Sequence, residues 1–202
     1  MITLYYKPLS CSLAVHIALR ELDLPFELVA VTQDGDAKLA GGADYLAVHP
    51  LGAVPAVTLG DGSVMAEAGV ILEYLPLLAE GSTLAPRPGD ADYWEFRQLM
   101  NFIATDIHKN YGPLFIPGVP DTVKPVWLNR MAKRFDHLSA RIAAQGALLA
   151  RGYSVANIYF YVMLLWCSYV GVDLARWPVL AEYFERLSAR IAVREALEIE
   201  RP

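Results

Sequence analysis

The stretch Ile2-Thr3-Leu4-Tyr5-Tyr6-Lys7-Pro8-Leu9-Ser10-Cys11-Ser12-Leu13-Ala14 decides the fold. Ile2 to Tyr6 is short, apolar and rich in β-formers, which predicts a strand. Lys7-Pro8-Leu9-Ser10 breaks it, and a helical pattern begins near Ser12, with Leu13, Ala14, Ile17, Ala18 and Leu22 on one face. Cys11 therefore stands at a strand-to-helix turn. A thiol at a helix N-terminus feels the positive end of the backbone dipole and nearby unpaired N–H groups, and both favour thiolate. Alone, a cysteine reads as a small buried hydrophobe; the elements around it decide between the two.

Asp23-Leu24-Pro25 ends the first helix, and Phe26–Val31 reads as a second strand. The polar, glycine-bearing stretch Thr32–Gly42 reads as a loop, followed by a weak helix around Ala43–Val48. Ala56–Leu59 and Ser63–Met65 flank Gly60-Asp61-Gly62, a hairpin signal. Ala53-Val54-Pro55 precedes that hairpin, and its proline predicts a tight turn and a candidate cis peptide. Glu67–Leu78 returns to helical spacing through Val70, Ile71, Tyr74 and Leu75. Two strands joined by a helix predict a parallel pair, and the hairpin adds an antiparallel edge. The order is that of a thioredoxin-like α/β unit.

Residues 80–89 are punctuated by glycine and proline and read as a linker between a domain at 1–79 and another at 90–202. Beyond it only helices are predicted. They are Asp90–Asn110, Asp121–Ala144 with Asp121 as N-cap, and Ser154–Val170 stopped by Gly171. Pro178–Arg190 and a short last helix over Ala192–Glu198 follow. Ser154 and Asn157 form a capping box. Ile191 stands between the last two helices with no proline to break them, so they are expected to run together. The fold class is thus α/β plus all-α.

Composition narrows the function. Of the 202 residues 55% are hydrophobic and the net charge is −5, with no Lys/Arg-rich run, so a large core is expected and a nucleic-acid surface is not. Cys11 and Cys167 are the only cysteines and form no CxxC pair, which points away from a dithiol centre or a zinc site; no metal is expected. The apolar run Ile158–Cys167 is too short to span a bilayer and predicts a helix buried on all sides; Cys167 within it is expected to be inert core. No signal-like segment precedes the first strand, so a reducing, cytoplasmic setting is expected.

Taken together, Leu4-Tyr5-Tyr6-Lys7-Pro8 with Ser10-Cys11-Ser12-Leu13-Ala14 resembles the opening of the bacterial beta class of cytosolic glutathione transferases. Asp44-Tyr45-Leu46-Ala47-Val48-His49-Pro50-Leu51-Gly52-Ala53-Val54-Pro55-Ala56-Val57 is similar to that class's approach to its cis-proline. Asn101-Phe102-Ile103-Ala104-Thr105-Asp106-Ile107-His108-Lys109 resembles its first long helix. The similarity is collinear over nearly the whole chain.

The resemblance implies that glutathione is the co-substrate. Its cysteinyl part would pair with the Val54 backbone beside Pro55, a form of strand addition. Glu67 would receive the γ-glutamyl ammonium while the helix N-terminus at Ala68 takes the carboxylate. Most such proteins have serine where Ala68 stands, and a lost hydroxyl bond to a charged group is worth on the order of 1.5–3 kcal/mol. Lys38 is the counterpart of a lysine that helps the glycyl carboxylate. Leu51 and Ala53 replace a lysine and a glutamine at the mouth of the site, and the resemblance puts Cys11 beside the glutathione sulfur. It implies His108 near the thiol, and Asn101, Thr105 and Asp106 near glutathione bound by a partner subunit. Helical spacing alone puts Thr105, His108 and Lys109 on one face. A surface histidine without catalytic duty and a plain helix-start acid are the simpler readings of His108 and Glu67.

The expected function is a glutathione transferase of detoxification type, a homodimer that conjugates the glutathione thiol to apolar electrophiles. Thiol transfer through Cys11 would compete with conjugation, and Ser10 could orient the thiolate in its place. The alternative is a non-catalytic protein of the same fold that binds apolar ligands, motivated by Leu51, Ala53 and Ala68. No nucleic acid and no membrane is expected as a partner.

Overall fold

The computed structural model describes residues 1–201. They divide into two units, one made of Met1–Thr83 with the segment from Ala189 onward, the other of Leu84–Ser188. The first break falls within the glycine- and proline-marked linker, but the last helix belongs with the first unit rather than with the helical one.

In the first unit β1 (Ile2–Tyr6), α1 (Ser12–Glu21) and β2 (Phe26–Asp34) form the opening β-α-β element, with β1 and β2 parallel and Ile2 opposite Phe26. β3 (Ala37–Ala40) and β4 (Ala43–Asp44) follow, then a 3-10 turn at Tyr45–Ala47. The hairpin β5 (Ala56–Thr58) and β6 (Val64–Ala66) leads into α2 (Ala68–Leu78). Among the described residues, six strands pair in the order β4-β3-β2-β1-β5-β6. β1 sits inside, between its parallel partner and the antiparallel hairpin.

The loop expected at Thr32–Gly42 is instead two antiparallel turns of strand. Asp34 pairs with Ala37 across Gly35-Asp36, and Ala40 pairs with Ala43 across Gly41-Gly42. Gly35, Gly41 and Gly42 all have positive φ, which two-residue hairpin loops require. The polar side chains of Thr32, Gln33 and Asp34 face solvent, which is why the stretch has no strand-like alternation.

α8 (Ile191–Glu200) packs on α1. The joint is a buried polar chain. His16 and Glu200 are 0% and 1% exposed. The Arg20 Nε–H donates to His16 Nε2 at 3.0 Å, so that nitrogen is an acceptor and the imidazole proton sits on Nδ1. Nδ1–H then donates to Glu200 Oε1 at 2.8 Å, and the Leu9 N–H donates to the other oxygen at 2.8 Å. The expectation that the last two helices run together does not hold. α7 (Pro178–Ser188) stops, and Arg190 is extended at φ −67°, ψ 140°. Its guanidinium forms a two-pronged pair with Glu21 at 2.6 and 2.8 Å, which fixes the bend without a proline.

The second unit is helical. α3 (Tyr93–Phe102) passes through a π-helical turn at Ile103–His108 into α4 (Lys109–Phe115). α5 (Lys124–Gln145) starts later than expected. Val123, not Asp121, holds the cap position, Pro125 stands in the first turn, and Asp121 pairs with Lys124 at the surface. Met131, Phe135, Leu138 and Ile142 bury the predicted face, while Trp127 is only half-buried, under Arg130. α6 (Val155–Leu165) is buried at every position, as its apolar composition demands, and ends through a 3-10 turn at Trp166–Val170 and Gly171 at φ +72°. The capping box is present. Asn157 Oδ1 accepts the Ser154 N–H at 2.8 Å, and the asparagine Nδ2–H donates to Tyr183 Oη at 2.6 Å. Among the described residues no helix is long and apolar enough to cross a membrane.

Candidate functional site

Strand register gathers the predicted residues of the first unit at one end of its sheet. Ala56 pairs with Tyr5 on one side and Ala66 on the other. Val54-Pro55 leads into Ala56, Glu67-Ala68 leads out of Ala66, and the Lys7–Cys11 turn leads out of β1. Three loops therefore leave the same edge.

The Val54–Pro55 peptide is cis. Cys11 is partly exposed at the position before α1, and its Sγ–H donates to the Val54 carbonyl at 3.2 Å. That contact needs the thiol proton, so forming the thiolate releases the carbonyl. Leu9, at φ +57°, shapes the turn just before the thiol, and its N–H is the one held by Glu200. Ser10 lies beside Cys11 but is committed elsewhere. Ser12 Oγ–H donates to the Lys7 carbonyl at 3.1 Å, so the 2.8 Å contact between the two hydroxyls must use the Ser10 proton. Together these bonds brace the turn that carries the thiol.

Glu67 is exposed and adopts φ +70°, ψ 112°, an uncommon conformation for a residue with a side chain, immediately before α2. Such outliers persist where surroundings over-determine them, often at ligand sites. Ala68 is buried at the first helical position. Lys38 lies on β3, opposite Gln33, and its Nζ–H donates to the Gly52 carbonyl at 2.8 Å. Lys38, Lys7, Gln33, Gly52 and Val54 line a cavity of about 120 Å³. Two lysines lining a cavity that Val54 also lines suit a carboxylate on an extended peptide. Leu51 is 83% exposed and Ala53 is exposed, so the mouth of this loop is apolar as the sequence suggests.

Tyr45 and His49 join the site without a motif of their own in the sequence. Tyr45 is fully buried, and its Oη–H donates to the Ala53 carbonyl at 2.7 Å. Burial pushes its phenol up to about 12, so it stays a donor at neutral pH. An aromatic residue ahead of the proline turn was the available signal.

In the helical unit the candidates lie on or beside the π turn. π turns recur at functional sites and re-aim the side chains they carry. Thr105 and Lys109 are exposed, whereas His108 is partly buried. His108 Nδ1 and the Tyr159 hydroxyl are 2.7 Å apart, and the imidazole meets Trp166 edge-on at 5.2 Å. Burial, with Lys109 adding to it, lowers its pKa to about 4. At neutral pH the imidazole is therefore uncharged and meets the Tyr159 hydroxyl through a hydrogen bond. Asp106 accepts two bonds from Arg134, at 2.8 and 3.2 Å, and Thr105 Oγ1–H donates to the Asn101 carbonyl at 2.9 Å. Asn101 and Asp106 line one groove of about 370 Å³ between α3 and α5. Cys167 is buried, beside the Tyr111 hydroxyl at 3.2 Å, and burial pushes its thiol up to about 12. Among the described residues no cluster of His, Cys, Asp and Glu could hold a metal ion.

Comparison with known proteins agrees with this picture. Residues 10–77 match the N-terminal domain of glutathione S-transferases. The chain is 32% identical over 197 residues to glutathione S-transferase GstA of Escherichia coli O157:H7, covering 98% of each. A sphingomonad glutathione S-transferase solved in complex with glutathione is 37% identical, with a TM-score of 0.93 over 98% of both chains. The beta class glutathione S-transferase of Sphingomonas chungbukensis is 34% identical, also with a TM-score of 0.93 over 98% of both. A thioredoxin-like unit, a helical unit and full-length identity above 30% to such enzymes together establish that the chain belongs to the glutathione S-transferase family and resembles its bacterial beta class.

Proposed function

We propose that the protein binds glutathione at the sheet end formed by Cys11, Val54-Pro55 and Glu67-Ala68, and conjugates it through its deprotonated sulfur to apolar electrophiles, with loss of the thiol proton. The carrying observation is the 3.2 Å contact between Cys11 Sγ and the Val54 carbonyl, which sets a thiol against the backbone segment suited to pair with a peptide. The tripeptide would run along Val54, with its γ-glutamyl end at Glu67 and the N-terminus of α2, and its glycyl carboxylate toward Lys38. Lys7 adds a second positive group on that side. The apolar surface at Leu51 and Ala53 favours an apolar co-substrate.

Cys11 lies where a bound thiol would meet it, and exchange with a glutathione disulfide would form a mixed disulfide while releasing one glutathione thiolate. Since the Ser10 proton is held by Ser12, Cys11 and backbone N–H groups are the better partners for the reacting sulfur. For the helical unit the roles rest on the resemblance. His108 would act as a neutral hydrogen-bonding group, while Asn101, Thr105 and Asp106 would serve glutathione held by a second subunit, Asp106 being oriented by Arg134. Homodimerisation, a detoxifying role and a cytoplasmic setting belong to the same proposal.

The deciding experiment compares Cys11→Ala with the unaltered chain in two assays, conjugation of a chloronitrobenzene and reduction of a mixed disulfide of glutathione. Loss of the second alone assigns Cys11 to thiol exchange. Loss of neither would remove Cys11 from the chemistry. An unaltered chain that binds apolar ligands but turns over neither substrate would favour a non-catalytic binder.

A further inference from the structure

The loop ahead of Pro55 is held in a way that family resemblance does not require. Ala53 has one N–H and one C=O, and side chains of the preceding turn take both. The Tyr45 hydroxyl donates to the carbonyl at 2.7 Å, and His49 Nδ1 accepts the amide at 3.3 Å. The two gripping residues are themselves fixed. Their rings lie nearly parallel, 6.3 Å apart at 14°, and Tyr45 also packs on Tyr5 of β1 at 5.5 Å. The Val48 and His49 amides both donate to the Tyr45 carbonyl at 2.9 Å, and the Gly52 amide donates to the His49 carbonyl at 2.7 Å.

The Ala53 carbonyl and the Val54 N–H belong to one planar trans peptide group, so they point in opposite directions. Drawing the carbonyl onto a buried phenol turns the Val54 N–H away from that phenol. We propose that Tyr45 and His49 are positioning residues for glutathione: Tyr45 holds the Ala53–Val54 peptide group directly and His49 holds the Gly52–Ala53 group before it, so that the Val54 N–H is aimed before the ligand arrives. This inference rests on the glutathione reading above and adds to it the residues that set the affinity. Without the clamp, the peptide must be ordered at the moment of binding, and the ligand meets that cost.

The test is calorimetric titration of reduced glutathione into the full-length protein and into Tyr45→Phe, His49→Leu and His49→Asn, with conjugation kinetics alongside. Phenylalanine keeps the ring and removes one donor. Asparagine offers an acceptor oxygen where His49 Nδ1 stands, and leucine does not. The expected result is a roughly three- to tenfold weaker glutathione Kd for Tyr45→Phe and His49→Leu, recovery toward the unaltered value for His49→Asn, and kcat within about twofold throughout. A purely structural role would lower stability and kcat together without rescue by asparagine, and would overturn the inference. Unchanged affinity in both Tyr45→Phe and His49→Leu would overturn it while leaving the glutathione reading intact. No glutathione binding by the unaltered chain would overturn both. Should Tyr45→Phe fold poorly, the half-exposed His49 pair decides alone.

Discussion

Removing the Glu200 carboxylate should destabilise the protein through the turn that carries Cys11. Glu200→Ala removes the acceptor of the buried His16 Nδ1–H and of the part-buried Leu9 N–H. An unsatisfied buried donor costs about 1–3 kcal/mol and the part-buried Leu9 N–H adds less, so the loss is roughly 2–4 kcal/mol. For a chain of this size each kcal/mol moves Tm by about 2–4 °C, which predicts a fall of about 4–16 °C. Glu200→Gln keeps the shape and one oxygen, but its amide nitrogen must face one of the two donors. His16 cannot relieve the clash by moving its proton, because Nε2 already accepts from Arg20. A smaller loss of about 1–3 kcal/mol is expected. Thermal and urea denaturation at one fixed protomer concentration measures both. In a double-mutant cycle His16→Phe should cost less in the Glu200→Gln background than alone. Hydrogen exchange should quicken at the Leu9 amide before it does so in β1. Both variants melting within about 1 °C of the unaltered chain would refute the reasoning.

Gly52→Ala should weaken glutathione binding several-fold. The residue sits at φ +59°, and an added Cβ would lie 2.6 Å from Lys38 Cδ and 2.9 Å from its Nζ, displacing the ammonium from the Gly52 carbonyl. Its KM should rise with little change in kcat, and steady-state kinetics with glutathione varied checks this. His108 makes stability fall as pH drops from about 6.5 toward about 4. The unfolded chain takes up a proton near the ordinary 6.5 that the folded chain refuses until about 4, so unfolding binds protons in that window. Melting curves should show a shallower acid decline for His108→Phe than for the unaltered chain. At pH 8 a maleimide should label Cys11 readily and Cys167 only on unfolding, since Cys167 is 1% exposed with its thiol pushed up to about 12. Intact-mass measurement before and after adding denaturant reads this directly.

The opening β-α-β element was legible because β1, α1 and β2 each carry a clear period, and the hairpin because Gly60-Asp61-Gly62 announces it. The β2–β3–β4 ribbon was missed although Gly35-Asp36 and Gly41-Gly42 are two-residue turn signals, since its exposed polar side chains hide the alternation. The partnership of His16 with Glu200 has no local signal at all, because the two stand 184 positions apart. Cys11, Val54 and Lys38 were legible as candidates. The neutral state of His108 was not, because Tyr159 and Trp166 set it from a distant helix and the turn that follows it. The π turn at Ile103–His108 escapes any reading based on regular helical spacing.

The most direct measurement is a calorimetric titration of reduced glutathione into the full-length protein at neutral pH. The account predicts binding in the micromolar to low-millimolar range, weakened when Lys38 is replaced by alanine. No detectable heat up to several millimolar, repeated at a second temperature, would contradict it.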